Sequence, residues 1–306
     1  MSVKTERTKA LNYESVLSNI VEGTCKYLTD NRLKTMVLGI SGGIDSTVTA
    51  AICKIVSQKT NIPLIGISLP CSTNGTDEVS AATLCGTEFC DSFKEVNLQP
   101  TFEAVEKFCT EASGSESTAI SQGNIKARMR MITLYDIASK MGGVVLDTDN
   151  LTEHFLGFWT LHGDDADFNP IGGLWKHEVY GLAHYLKEKV FTDSKALEQS
   201  IALMPTDGNG VKEGGDLAQI ALGKTYDDVD EILQAWVGLD ERIKEHVLHN
   251  YFDYGVFKKL CEKHGYETVE SVVMRSVRSE FKRKQRPFII DVYSGLVCEK
   301  NGKIMD

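Results

Sequence analysis

Ser41, Gly42, Gly43, Asp45 and Ser46 fall in one short stretch, and together they suit the binding of an anion. Two adjacent glycines let the backbone turn sharply and bring its N–H groups close to a ligand. Ser41 and Ser46 can donate hydroxyls, and Asp45 can hold a divalent cation whose charge offsets that of a phosphate. No lysine follows Gly43, so this is not the GxxxxGK[ST] phosphate loop. A glycine pair by itself is equally a plain strand-to-helix turn with a capping Ser or Asp.

The flanking elements would have to aim these groups. Residues 36–40 are a short apolar run of strand length, and residues 48–56 (VTAAICKIV) have the apolar spacing of a helix packed on a sheet. An anion at their junction would meet unpaired amides and the positive end of a helix dipole. Residues 64–69 form a second apolar strand before Pro70, residues 93–98 a weaker third and residues 144–146 a fourth. Helices are expected over residues 12–31, 77–89, 104–109 and 125–141, with a polar linker over 111–124. The first carries Leu17, Ile20, Val21, Cys25 and Leu28 on one side; the last carries Ala127, Met131, Leu134, Ala138 and Met141.

Strands alternating with helices predict an α/β fold, a doubly wound parallel sheet flanked by helices that binds ligands at the carboxyl ends of its strands. The loops after Ile40, Leu69 and Leu146 should then share one crevice. From Thr152 onward the chain reads as mainly helical, over residues 178–189, 194–203, 226–239 and 241–263. An acidic, glycine-containing loop spans residues 164–173, and the glycine-rich, polar residues 205–216 are the best candidate for a lid. No repeat or domain linker is evident, so residues 1–306 are expected to form a single domain.

With 306 residues and 42% hydrophobic content, the chain can bury a sizeable core. A net charge of -10 argues against a general nucleic-acid binder, yet local loops and a cation can still receive anionic small substrates. No apolar run reaches membrane length, and no apolar segment follows the initial MSVKTERTK, so a cytoplasmic protein is expected. The eight cysteines are scattered without a CxxC pair, as suits reduced thiols rather than disulfides or a zinc site. The seven histidines show no HxxxH or HExxH spacing.

SGG-x-DS resembles the pyrophosphate loop of the ATP pyrophosphatases. Three further strings narrow that superfamily: Gly123-Asn-Ile-Lys-Ala-Arg128, Asp147-Thr-Asp-Asn-Leu-Thr-Glu153 and Leu222-Gly-Lys-Thr-Tyr-Asp-Asp-Val-Asp230. In this order, from about Leu38 to Arg286, they resemble the ammonia-dependent NAD synthetases. The resemblance implies ATP-dependent amidation of deamido-NAD with ammonia through an acyl-adenylate, with Mg2+ as cofactor and a homodimer as the assembly. The loop with Gly39, Ser41, Gly42, Gly43, Asp45 and Ser46 would wrap the ATP phosphates, and Asp45 and Glu153 would hold the metal. Thr148 and Thr206 match hydroxyls that contact ATP. Lys176 matches a lysine that reaches its phosphates and, with Asp45, would serve the chemistry. Arg128, Asp167 and Lys282 match substrate contacts.

The chain departs from the family at several points. Leu161 stands where a substrate-contacting lysine is usual, and the acidic loop, Asp164-Asp-Ala-Asp167, is about one residue short. Phe281 replaces a histidine before Lys282, and Ser68 a basic residue near the end of the second strand. These changes, all but the last, concern the nicotinate half of the pocket. They keep open an ATP pyrophosphatase that amidates a different carboxylate. A nucleotide binder without turnover is the remaining alternative. The stretch before Met36 is far too short for a glutaminase domain, which points to ammonia as the nitrogen source.

Overall fold

The computed structural model describes residues 11–205 and 222–284. Its centre is strand β1 (Met36–Gly39), paired on one side with β2 (Leu64–Ser68) and on the other with β4 (Val144–Leu146). β3 (Ser92–Glu95) completes a fully parallel sheet of order β3-β2-β1-β4. Successive strand residues point to opposite faces. Met36, Leu38, Leu64, Val144 and Leu146 enter one core cluster, while Val37, Ile65, Ile67 and Val145 enter another. Helices cover both faces, which is why β1, β2 and β4 are near-continuous apolar runs, whereas the edge strand β3 (Ser-Phe-Lys-Glu) is largely exposed. The expected doubly wound sheet is present. Its order reverses between β1 and β4, so a crevice opens at the carboxyl ends of that pair.

One face is covered by α1 (Tyr13–Asp30), α2 (Ile44–Thr60), α3 (Thr76–Phe89), α7 (Lys176–Tyr185) and α8 (Lys195–Ala202). The other is covered by α4 (Gln99–Ser113) and α5 (Ala119–Met141). α1 opens on Asn12, whose side chain accepts from the Ser15 amide at 3.1 Å, and it buries Leu17, Val21 and Leu28 as expected. β3 stops earlier than residue 98. The Val96 and Leu98 amides still donate to Ser68 and Pro70, but Pro70 has no N–H to return to the ladder.

The expected linker over 111–124 is corrected to residues 114–118. α4 runs on to Ser113 and ends on Gly114 at φ +67°, and α5 begins at Ala119. Thr118 and Ser121, which read as linker, form a capping box: Ser121 N donates to Thr118 Oγ1 at 3.2 Å and Thr118 N to Ser121 Oγ at 2.8 Å. Along α5, Ala127, Leu134 and Ala138 are buried, whereas Met141 is exposed and the buried face takes Gly123, Lys126 and Met129. α7 extends into a π-helical turn, Leu186–Val190.

The C-terminal part is helical, as expected. α6 (Leu151–Leu156) leads into it, and α9 (Tyr226–Val237), α10 (Glu241–His249), α11 (Gly255–His264), α12 (Tyr266–Arg278) and α13 (Glu280–Arg283) follow. They share a separate core cluster with Trp175, Val229, Ile232, Leu233, Phe257 and Val272. The single helix expected over 241–263 is two helices. Tyr251 and Phe252 take left-handed conformations (φ 48° and 63°), which turns Phe252 inward against Phe257 at 6.0 Å. Most of the proposed lid, residues 206–216, lies outside the described residues, as does Thr206. Phe257 is fully buried, so Phe257→Ala should lower the unfolding free energy by about 3–5 kcal/mol, read by urea titration.

Candidate active site

The cradle after β1 takes its shape from one glycine. Gly42 sits at φ +84°, and a Cβ there would lie 2.6 Å from both Ala82 N and Glu78 O on the α3 backbone. No other residue fits that conformation and that approach. Ser41 Oγ lies 3.0 Å from Ser46 Oγ and accepts from Gly43 N at 3.2 Å, while Ser46 Oγ donates to Gly43 O at 3.1 Å. α2 then starts at Ile44 with no side-chain cap on Gly43, so its amide end faces the crevice beside exposed Ser41 and Gly43. Gly39, at the end of β1, lets α5 approach: its Cβ would meet Leu134 at 3.2 Å.

Asp45 lies in the first turn of α2 and meets residues far along the chain. Its Oδ2 binds the Lys176 ammonium, and its Oδ1 accepts from Asn150 Nδ2 at 2.9 Å. Lys176 also donates to Glu153 Oε1 at 3.2 Å, and its side chain is only 3% exposed. Glu153 and Asn150 form the capping box that opens α6, each side chain accepting the other's backbone amide. The cap therefore aims Glu153 back at the crevice, toward Asp45. Tyr226, from α9, presents its ring 5.4 Å from the same ammonium.

This pocket carries more negative than positive charge. Burial, with Asp45 nearby, pushes Glu153 up to about 7 despite the pull of Lys176. Burial raises Asp147 to about 6, and burial with Asp147 and Glu153 raises Asp149 well above the carboxylate range. Burial opposes the charge on Lys176, but Asp45 and Glu153 outweigh it and hold the amine protonated far above its ordinary range. Several carboxyls around one ammonium are short of positive charge. Hard oxygen donors on Asp45 and Glu153 fit a divalent cation there.

Sequence reasoning missed Asn150, Asp149 and Asp230. Each lay inside a quoted motif, but nothing local showed which partner it would meet. Asp230 is fully buried, 78 positions from Thr152, whose hydroxyl donates to it.

The residues matched to ATP and substrate contacts are placed variously. Thr148 is half-buried at the carboxyl end of β4. Arg128 is exposed on α5, its Nη2 donating to Leu161 O at 3.2 Å. Asp167 lies beside β4, accepting from Tyr135 Oη at 2.9 Å and Val145 N at 3.3 Å. Lys282 donates to Gly157 O at 2.7 Å and to Trp159 O just past the end of α6. Two further cations, Lys126 and Arg130, share another side of α5. Lys126 donates to Thr73 at 3.1 Å over the Phe102 ring, and Arg130 to Leu69 O at 3.2 Å.

Gly42→Ala should destabilise the fold by more than about 1 kcal/mol, whereas Gly43→Ala, whose Cβ would meet only Ser41 Oγ at 3.4 Å, should be milder. Thermal melts of both variants check this. Glu153 holds its proton more tightly in the folded chain than in the unfolded one, where its pKa is 4.5. Its contribution therefore favours the folded state below about 4.5 and is lost as pH rises through about 7. Glu153→Gln should flatten that part of the stability–pH curve, measured by denaturant titration.

The NAD synthase family model matches residues 16–286. The chain is 33% identical over 250 residues to the NH(3)-dependent NAD(+) synthetase of Lactobacillus johnsonii, covering 74% of this chain and 84% of that protein. It is 32% identical over 225 residues to the enzyme of the same name from Shewanella frigidimarina, covering 68% and 78%. Among solved structures, an NMN synthetase from Francisella tularensis matches with a TM-score of 0.70 at 23% identity, covering 92% of this chain and 99% of that one; the likeness is one of fold. The family match runs from α1 past α13 and so takes in the cradle, the carboxylates and the buried lysine together. This chain belongs to the NAD synthase family.

Proposed function

We propose that this protein amidates deamido-NAD with ammonia, using ATP, to give NAD, AMP and pyrophosphate. It is a ligase that forms a carbon–nitrogen bond; its relatives are named NH(3)-dependent NAD(+) synthetases. The observation that carries the reading is the convergence of Lys176, Asp45 and Glu153 beside an amide cradle at the switch point of the sheet. A carboxylate resists attack by ammonia because expelling oxide is prohibitive. The nicotinate oxygen instead attacks the α-phosphorus of ATP, and the bond to the β-phosphate oxygen breaks to release pyrophosphate. Ammonia then adds to the acyl carbon, AMP leaves, and the nitrogen sheds its extra proton to solvent.

The chain's own groups position and neutralise. The cradle around Gly42 and Gly43 receives the leaving pyrophosphate, with Ser41, Ser46 and the α2 dipole as donors. Lys176 meets the β- and γ-phosphate charge, and Thr148 and Thr206 offer hydroxyls to the nucleotide. Asp45 and Glu153 would hold Mg2+, which supplies Lewis-acid polarisation of the phosphoryl oxygens when bound. Arg128 faces the acceptor. Asp167 and Lys282, engaged with Tyr135 and with the end of α6, shape the acceptor pocket from behind. The chain works as one unit in this reading, as a homodimer in the cytoplasm; no described helix is long and apolar enough to cross a membrane.

Incubation of the protein with ATP, Mg2+, ammonium and deamido-NAD should yield NAD, AMP and pyrophosphate in equal amounts; AMP without NAD would overturn the acceptor. Asp45→Asn should lower turnover at least about 100-fold. Leu161 sits half-buried with its carbonyl on Arg128, in the acceptor half. Leu161→Lys should lower KM for the dinucleotide if that half is short of one cation. An unchanged KM would favour an acceptor that does not need it.

A further inference from the structure

Lys176 is the first residue of α7, so the position of that first turn decides where its ammonium lies. The turn's own N-cap, Trp175, contributes no side-chain acceptor. The two leading amides are instead received by side chains from other elements. Lys176 N donates to Thr152 Oγ1 at 2.9 Å, and His177 N to Asp230 Oδ2 at 3.0 Å. Thr152 in turn donates its hydroxyl proton to Asp230 Oδ1, and His177 Nδ1 lies 2.7 Å from Oδ2. Thr152 and Asp230 are both fully buried.

We propose that Asp230, acting through Thr152, is a positioning residue that sets Lys176 against the nucleotide phosphates. The proposal rests on the role given to Lys176 above. Thr152 lies on α6 next to Glu153, and Asp230 lies on α9, so one carboxylate joins three helices at the point where Lys176 leaves the backbone. Backbone amides at a helix start need acceptors, and here those acceptors are remote. Their loss would free the first turn to shift, and a displacement of about 1 Å suffices to degrade a charged contact.

Isosteric and hydroxyl-keeping substitutions separate positioning from folding. Thr152→Val preserves shape but removes both the acceptor for Lys176 N and the donor to Asp230; Thr152→Ser keeps both. ATP affinity is measured by calorimetry without metal or acceptor, and kcat and KM by NAD formation. Thr152→Val and Asp230→Asn should each weaken ATP binding and lower kcat/KM about 10- to 100-fold, with Thr152→Ser restoring most of the loss. In a Lys176→Met background Thr152→Val should add no further loss in either readout, while still lowering Tm. Should Asp230→Asn fail to fold, the Thr152 pair carries the test.

Unchanged ATP affinity and kcat/KM in folded Thr152→Val would overturn the proposal. So would an equal loss with and without Lys176, or a Lys176→Met protein that binds ATP normally. Failure of the wild type to make NAD would instead reject the assigned reaction, leaving the ATP-binding arm to decide the positioning role.

Discussion

A protonated amine enclosed among carboxylates is the interaction on which this architecture turns. Lys176 joins the start of α2, through Asp45, to the start of α6, through Glu153, and it is itself the start of α7. Three helix N-termini thus converge on one point at the carboxyl end of the sheet. Such a buried pair contributes little net stability, because desolvation offsets the attraction, but removing one partner leaves an uncompensated charge. Burial and neighbouring carboxyls raise Glu153, Asp147 and Asp149, which marks a pocket with more carboxyls than its one ammonium pairs with.

The C-terminal helices serve as a mount for α6. Arg275 donates to Leu156 O at 2.9 Å, Ser279 to Phe155 O at 3.2 Å, Arg283 to Phe155 O at 2.7 Å and Lys282 to Gly157 O at 2.7 Å. Cations and donors at the carbonyl end of a helix answer both its unpaired acceptors and its dipole. At the opposite end of α6 lie the capping box and Thr152. A helix of only six residues has little stability of its own, so both ends are fastened by other parts of the chain. Arg275, Lys282 and Arg283 thus clasp the element that carries Glu153.

The sheet contributes rigidity rather than chemistry. β1, β2 and β4 are buried on both faces, and the two clusters hold the cradle and the β4 loop at a set separation. The reversal of strand order between β1 and β4 leaves a gap that no crossover helix fills. The cradle and Asp45 follow β1, and Asn150 and Glu153 follow β4, whereas Lys176 comes from farther along the chain.

Sequence pattern alone established the cradle, the parallel sheet and the family. Each depends on short-range physics: a glycine pair between an apolar strand and a helix, period-2 and period-3.6 burial, and motifs in a set order. It also identified Asp45, Glu153 and Lys176 as members of one site, though only through resemblance. Its misjudgements were local signals with two readings, such as Thr118 and Ser121, which cap a helix rather than form a linker, and a helical pattern over 241–263 that Tyr251 and Phe252 break. Packing alone determined that Asp230 would meet Thr152 and His177, and that Lys282 would grip the end of α6. A buried polar group takes whatever donor the neighbouring helix presents, and which helices become neighbours is settled by the whole core, not by any stretch of the chain.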